Sequence, residues 1–140
     1  MPTILTIESE DTEDWRSLIA EAIKAAKYAY APYSNYKVGV ALLTNNGKIY
    51  RGCNVENAAY RPSICAEQTA IVKAISEGDK QFRAMAVATK NRVTPCGVCR
   101  QVIREFAPTL PIIITDMDGN AQILNLTDLL PHSFGPENLE

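Results

Sequence analysis

The sequence predicts an α/β protein with a single mixed sheet and helices packed on it. Three observations carry that prediction. Apolar residues recur at helical spacing near the start of the chain. Two short, nearly uninterrupted apolar runs, "AMAVAT" and "PIIIT", have the pattern of strands covered on both faces. These runs alternate with helix-like segments rather than following one another. At 140 residues the chain suits one domain large enough to bury its own core. Residues 1–12 read as a polar lead-in and 13–140 as that domain.

Taken in order, Trp15, Leu18, Ile19, Ala22, Ile23 and Ala26 lie on one face of a helix reaching towards Ala31, with Thr12 or Asp14 available as its cap. "APYSNY" breaks it. "KVGVALL" and "KIYRGCNV" are two strands joined through "TNNG", where Asn46-Gly47 suits a tight hairpin turn. A second helix runs from about Ile64 to Glu77, and Gly78 supplies a left-handed stop. After the strand "AMAVAT" and the polar loop "KNRVT", "PCGVCRQVIREF" reads as a helix with Pro95 at or just before its start. "PIIIT" is a strand, "MDGN" a turn, "AQILNL" a weaker strand. "TDLLPHSFGPENLE" begins with a capped helical turn and ends in a segment broken by Pro and Gly.

Composition narrows the function. Apolar residues make up 46% and charged residues 21%, and the formal net charge is −2 with the basic residues scattered. A polynucleotide partner requires a basic groove to neutralise phosphates, so no nucleic acid polymer is expected. "MPTILTIESEDTEDW" turns acidic too soon for a signal peptide, and no apolar run reaches membrane-spanning length. A cytoplasmic protein without a membrane partner is the expectation. In that setting four cysteines point to metal binding or catalysis rather than disulfides. His132, the one histidine, falls in the Pro-rich end segment.

The chemistry concentrates at two predicted helix starts. "PCGVC" places Cys96 and Cys99 at the Cys-x-x-Cys spacing, which alone is a zinc half-site, a redox pair or two buried thiols. Cys65, at the other helix start, adds a third thiol where the helix N-terminus favours thiolate. Three sulfur ligands leave a tetrahedral zinc one open position, the mark of a catalytic rather than a structural site. Two residues on, Glu67 offers a carboxylate. Cys-x-Glu followed downstream by Pro-Cys-x-x-Cys is the signature of zinc-dependent deaminases, with the carboxylate as proton carrier rather than ligand. Cys53, ending a strand, reads as a small buried apolar residue.

With these residues in place the chain resembles the small, homotetrameric class of cytidine deaminases. The likeness runs from about Trp15 to Leu139 through "YAPYSNYKVGVALL", "GCNVENAAY", "CAE", "PCGVCRQ" and "LLPHSFGPENL". It implies a three-layer α-β-α sandwich around a central mixed five-stranded sheet. It also implies hydrolysis of cytidine and deoxycytidine to uridine and deoxyuridine with release of ammonia, a step of pyrimidine salvage. By position, Cys65, Cys96 and Cys99 would hold one zinc ion per subunit and Glu67 would shuttle protons. Asn54 and Glu56 would contact the ribose, and Ala66 the substrate. Tyr36, where the family usually has phenylalanine, would line the pyrimidine pocket. Phe134 would stack on the base from a neighbouring subunit of a homotetramer with shared active sites. The backbone around Thr94–Pro95 would accept from the exocyclic amine.

One departure stands out. The class usually reads Cys-Ala-Glu-Arg, whereas Gln68 follows Glu67 here. Zinc with three thiolates carries net −1, which a guanidinium offsets and a carboxamide does not. Gln68 is expected to hydrogen-bond a thiolate from outside the ligand set, with Arg61 a candidate for the missing charge. Three rivals are a deaminase of a modified or N4-substituted cytosine nucleoside or blasticidin-type antibiotic, a non-enzymatic zinc module closed by Cys53, and a redox protein using Cys96 and Cys99.

Overall fold

The computed structural model describes Thr3–Ile4 and residues 12–139, with side chains from Trp15 onward. The polar lead-in, and the side chains of Thr12 and Asp14 that would cap the first helix, otherwise lie outside the described residues. In chain order the elements are β1 (Thr3–Ile4), α1 (Thr12–Ala26), β2 (Gly39–Thr44), β3 (Ile49–Cys53), α2 (Ala66–Ser76), β4 (Phe82–Ala88), α3 (Gly97–Phe106), β5 (Pro111–Thr115), β6 (Ala121–Asn125), α4 (Leu126–Leu129) and a closing 3-10 turn, Pro136–Leu139. Among these residues no helix is long and apolar enough to cross a membrane.

The sheet order is β1-β6-β5-β4-β2-β3. Only β4 and β5 run parallel, joined by the crossover through α3, so the sheet is mixed as expected. The five expected strands are all present. A two-residue sixth, β1, pairs with β6 at the sheet edge, Thr3 opposite Ile123 and Ile4 opposite Gln122. Thr3–Ile4 thus form a short strand at the sheet edge where a polar lead-in was expected.

Strand alternation assigns the two faces. Ala84, Ala86 and Ala88 of β4 pack with Ala41, Leu43 and Ile113 against Leu18, Ile19 and Ala22 of α1. Met85 and Val87 point the other way, with Val40, Leu42, Ile112 and Ile114, onto Ala70, Ile71 and Ala74 of α2 and Ile103 of α3. The small residues of "AMAVA" therefore admit a closely seated helix on one side. The larger ones fill the space beneath two helices on the other. The result is the three-layer α-β-α sandwich.

Element ends follow local chemistry. Helix α1 stops at Ala26 instead of reaching Ala31, because Tyr30 donates its N–H to the Asn54 carbonyl and its own carbonyl accepts from Glu56. The hairpin uses a three-residue loop rather than the two-residue turn that Asn-Gly suggests. Gly47 takes φ 87° and donates to the Thr44 carbonyl. Gly78, at φ 94°, closes α2 as the sequence predicts.

Gly52 seats the site. A Cβ built there would lie 2.5 Å from the Ala66 carbonyl oxygen and 2.6 Å from the Ala70 nitrogen, so the first turn of α2 rests directly on β3. Gly52→Ala is accordingly expected to lower stability by about 1–3 kcal/mol, the usual cost of overpacking. A urea midpoint equal to or above that of the wild type would show that α2 does not need this contact.

Candidate active site

Two helix N-termini meet on the side of the sheet that carries α2 and α3. Cys65 is the N-cap of α2, with extended backbone (φ −74°, ψ 152°). Cys96 is the N-cap of α3 (φ −66°, ψ 167°). An N-cap side chain turns back over the first helical turn, where it ordinarily meets the N–H groups of the second and third residues. Here neither thiol makes a capping hydrogen bond. Instead the Cys96 sulfur comes within 3.4 Å of that of Cys99, the third residue of its own helix. The same geometry lets Cys65 and Glu67 converge although they are two residues apart, since Cys65 stands just outside the helix.

The three sulfurs of Cys65, Cys96 and Cys99 lie within 4.8 Å of one another. Sulfurs about 2.3 Å from a tetrahedral zinc stand roughly 3.8 Å apart, so the cluster is of the right size. Its electrostatics point the same way. The Cys99 thiol is pushed strongly up, first by its hydrogen bond to Cys65, then by burial and the neighbouring Glu67. That hydrogen bond brings Cys65 down to about 7. Burial raises Glu67, which is only 5% exposed, with its own N–H and the Cys99 thiol partly opposing the shift. Cys65, Cys99 and Glu67, this close together, cannot all ionise unless a cation joins them.

Cys53 is not part of this group. It lines a separate cavity with Tyr28, Arg51, Thr69 and Lys73, and burial raises its thiol. A closed four-thiol site is therefore not formed.

Above the thiols opens a cavity of about 300 Å³. Tyr36, Asn54, Glu56, Cys65, Ala66, Glu67 and Cys96 all face it, seven residues drawn from four separate stretches of sequence. Gln68 and Cys99 lie off the cavity, where Gln68 Nε2 donates to Cys99 Sγ at 3.5 Å. Phe134 does not line it. That ring is 56% exposed on the protomer surface, and its carbonyl accepts from Gln101 Nε2 at 2.9 Å. Arg61 is exposed and makes no side-chain hydrogen bond or ion pair among the described residues.

Asn54 and Glu56 are held in place by backbone. Val55 bridges to Tyr30 on one side and Ile64 on the other, which fixes Asn54 and Glu56 between them. Asn54 Oδ1 accepts from the Val38 N–H at 2.9 Å, and its Nδ2 donates to the Tyr36 carbonyl at 2.8 Å, leaving one amide hydrogen for another partner. Glu56 Oε1 accepts from the N–H groups of Tyr33 and Ser34 at 3.0 and 3.1 Å, while the Ser34 hydroxyl donates to Oε2. That hydroxyl, ahead of the two N–H groups, holds the Glu56 carboxyl below its usual range, so it is an ionised acceptor at neutral pH. The Tyr36 hydroxyl donates to Asn91 Oδ1, and Lys90 Nζ stands 5.4 Å from the ring centroid.

Sequence reasoning missed Ser34, Val38, Val87, Thr89 and Val93, which complete the wall. Ser34 left a local trace: its Oγ accepts from the Tyr36 N–H two residues on, a turn that serine favours. The other four are apolar or ordinary strand-end residues without a distinguishing mark.

Residues 12–115 match the family model described as the cytidine and deoxycytidylate deaminase zinc-binding region. The chain belongs to this deaminase family. A cytidine deaminase from Sporosarcina psychrophila is 47% identical over 129 residues, covering 90% of this chain and 95% of the relative. The crystal structure of the Burkholderia pseudomallei cytidine deaminase superposes with a TM-score of 0.81 at 47% identity, over 84% of this chain and 97% of that one. That of the Mycobacterium tuberculosis cytidine deaminase gives 0.76 at 37%, over 87% and 98%. The cofactor of this family region is zinc, and the donor set and spacing of the three-thiol cluster fit it.

Proposed function

We propose that the chain is a zinc-dependent cytidine deaminase that converts cytidine and deoxycytidine, with water, to uridine and deoxyuridine and ammonia. The observation that carries this function is a three-thiol cluster whose Cys65 and Cys96, with the buried carboxyl of Glu67, line the same cavity of about 300 Å³ as the ionised Glu56. Cys65, Cys96 and Cys99 would hold the zinc. Zinc in such a site activates water as the nucleophile by lowering its pKa from about 15.7 towards neutrality.

The chain's own groups do the rest. Glu67 accepts a proton from the attacking water and passes it to N3 of the base, which makes C4 electrophilic. Oxygen adds to C4. Glu67 then takes the second proton from that oxygen and delivers it to the amino group, which leaves as ammonia while the C4 carbonyl forms. A carboxyl raised by burial suits both halves of this work, since it neither holds nor releases a proton too strongly. Glu56 and the free amide hydrogen of Asn54 bind the ribose, Tyr36 and Ala66 bound the base, and Gln68 steadies Cys99 from behind.

Assembly as a homotetramer with shared sites belongs to the same proposal. Tyr28, Tyr30, Tyr33, Tyr60 and Phe134 are large exposed rings on one protomer, more than an isolated domain of this size needs. Phe134 would reach a neighbour's base from such a surface. Free thiols persist in a reducing compartment, in keeping with a cytoplasmic enzyme of pyrimidine salvage.

Ultraviolet-monitored conversion of cytidine, deoxycytidine and cytosine, with zinc measured on the same sample, tests the function. Turnover of both nucleosides and not of the free base is expected. Zinc-loaded protein that leaves both nucleosides unchanged would overturn it.

A further inference from the structure

We infer that Arg100 is a positioning residue: its guanidinium holds the Thr94–Pro95 segment so that the Thr94 carbonyl meets the exocyclic amine of the base. This rests on the deaminase function proposed above. Arg100 follows Cys99 on α3, one helical turn beyond the loop that enters the site. Its Nε donates to the Pro95 carbonyl at 2.7 Å, Nη2 to Thr94 Oγ1 at 2.8 Å, and Nη1 to the Leu129 carbonyl at 2.7 Å. All three acceptors are neutral oxygens, two of them in the cavity-side loop and one at the end of α4.

The need for such a brace follows from the local sequence. A helix entry is usually fixed by its N-cap side chain, but the N-cap of α3 is Cys96, whose thiol belongs to the metal cluster and makes no capping bond. Pro95 has no N–H to anchor. The segment that places both Cys96 and the wall residue Thr94 is therefore without the ordinary restraint, and Arg100 supplies one from inside the helix. The brace also distinguishes the two carbonyls. Pro95's is occupied by Arg100, which leaves Thr94's, one residue back, for the substrate. The rigid planar fork holds these three oxygens in fixed directions from three different nitrogens, an arrangement that the single ammonium nitrogen of lysine does not reproduce. The Leu129 bond fixes the guanidinium from the far side, which keeps the fork from swinging with the loop it holds.

An acceptor aimed at an amine discriminates. Cytidine presents N–H donors at C4, whereas uridine presents a carbonyl oxygen there and gains nothing from the Thr94 carbonyl. Loosening the loop should therefore harm cytidine and spare uridine. In zinc-loaded protein, Arg100→Lys is expected to lower kcat/KM for cytidine at least tenfold while leaving the uridine inhibition constant within about twofold. Thr94→Val, which removes only the hydroxyl that Arg100 grips, should shift the same ratio in the same direction by a smaller factor. It decides the matter if Arg100→Lys fails to fold or to retain zinc. Equal losses for cytidine and uridine in the folded variants, or no change in either, overturn the positioning role while leaving the deaminase function intact. A wild-type protein inactive on cytidine overturns both.

Discussion

Glu67→Gln is expected to lower kcat for cytidine by roughly a hundred- to ten-thousandfold, the usual contribution of a positioned proton carrier. Glutamine has nearly the same shape and can still hydrogen-bond, so the cavity and the thiol cluster stay in place. It cannot take a proton from water or return one to the leaving amine. Zinc content should be unchanged, and so should the affinity for uridine within a few-fold. Stability should hold or rise slightly, because the wild-type carboxyl is almost fully buried and burial is the main cause of its raised pKa. Steady-state rates, metal content and a thermal melt on one preparation test all of these. A variant retaining more than a tenth of wild-type kcat with full zinc would place the proton carrier elsewhere.

How much of this was readable beforehand differs between fold and site. The buried strands were legible because β4 and β5 are covered on both faces, so "AMAVA" and "PIII" carry no polar interruption. Gly78 announced the end of α2 because only a residue free to adopt positive φ closes a helix in that way. The end of α1 was not legible. Its last turn is undone by hydrogen bonds from Tyr30 to residues 54–56, a partner 24 or more positions away that no local pattern shows. Edge strand β1 was hidden for the same reason, since its pairing with β6 crosses nearly the whole chain.

At the site, the thiols and Glu67 were visible because metal and proton chemistry demand particular residue types at fixed spacing. Arg100 and Ser34 were not singled out, because each acts on backbone or on another side chain, and many residue types at those positions would have looked ordinary. Phe134 shows the opposite limit. It stood out in the sequence only through likeness to a family, and on one protomer it lies away from the cavity.

The second large effect is expected at Cys99. Its sulfur is fully buried, approaches that of Cys96 at 3.4 Å and accepts from Gln68 Nε2. Cys99→Ala leaves two thiols, too few to retain zinc against a competing chelator. Metal content should therefore fall below a tenth of an ion per chain under conditions where the wild type stays loaded. The loss also has a signature in stability. A ligand that binds only the folded chain at a thousand times its Kd adds about 4 kcal/mol, which raises the midpoint of a chain this size by roughly 8–16 °C. Wild-type protein stripped with chelator should recover that increment when zinc is restored, and Cys99→Ala should not. Cys53→Ala provides the contrast. Its thiol lies outside the cluster, in a different cavity, so this variant should bind zinc as the wild type does and show the full zinc-dependent rise. If Cys53→Ala lost zinc as readily as Cys99→Ala, the metal would be closed by four thiols, with no open position left for water, and the deaminase chemistry assigned to Glu67 would fall with it.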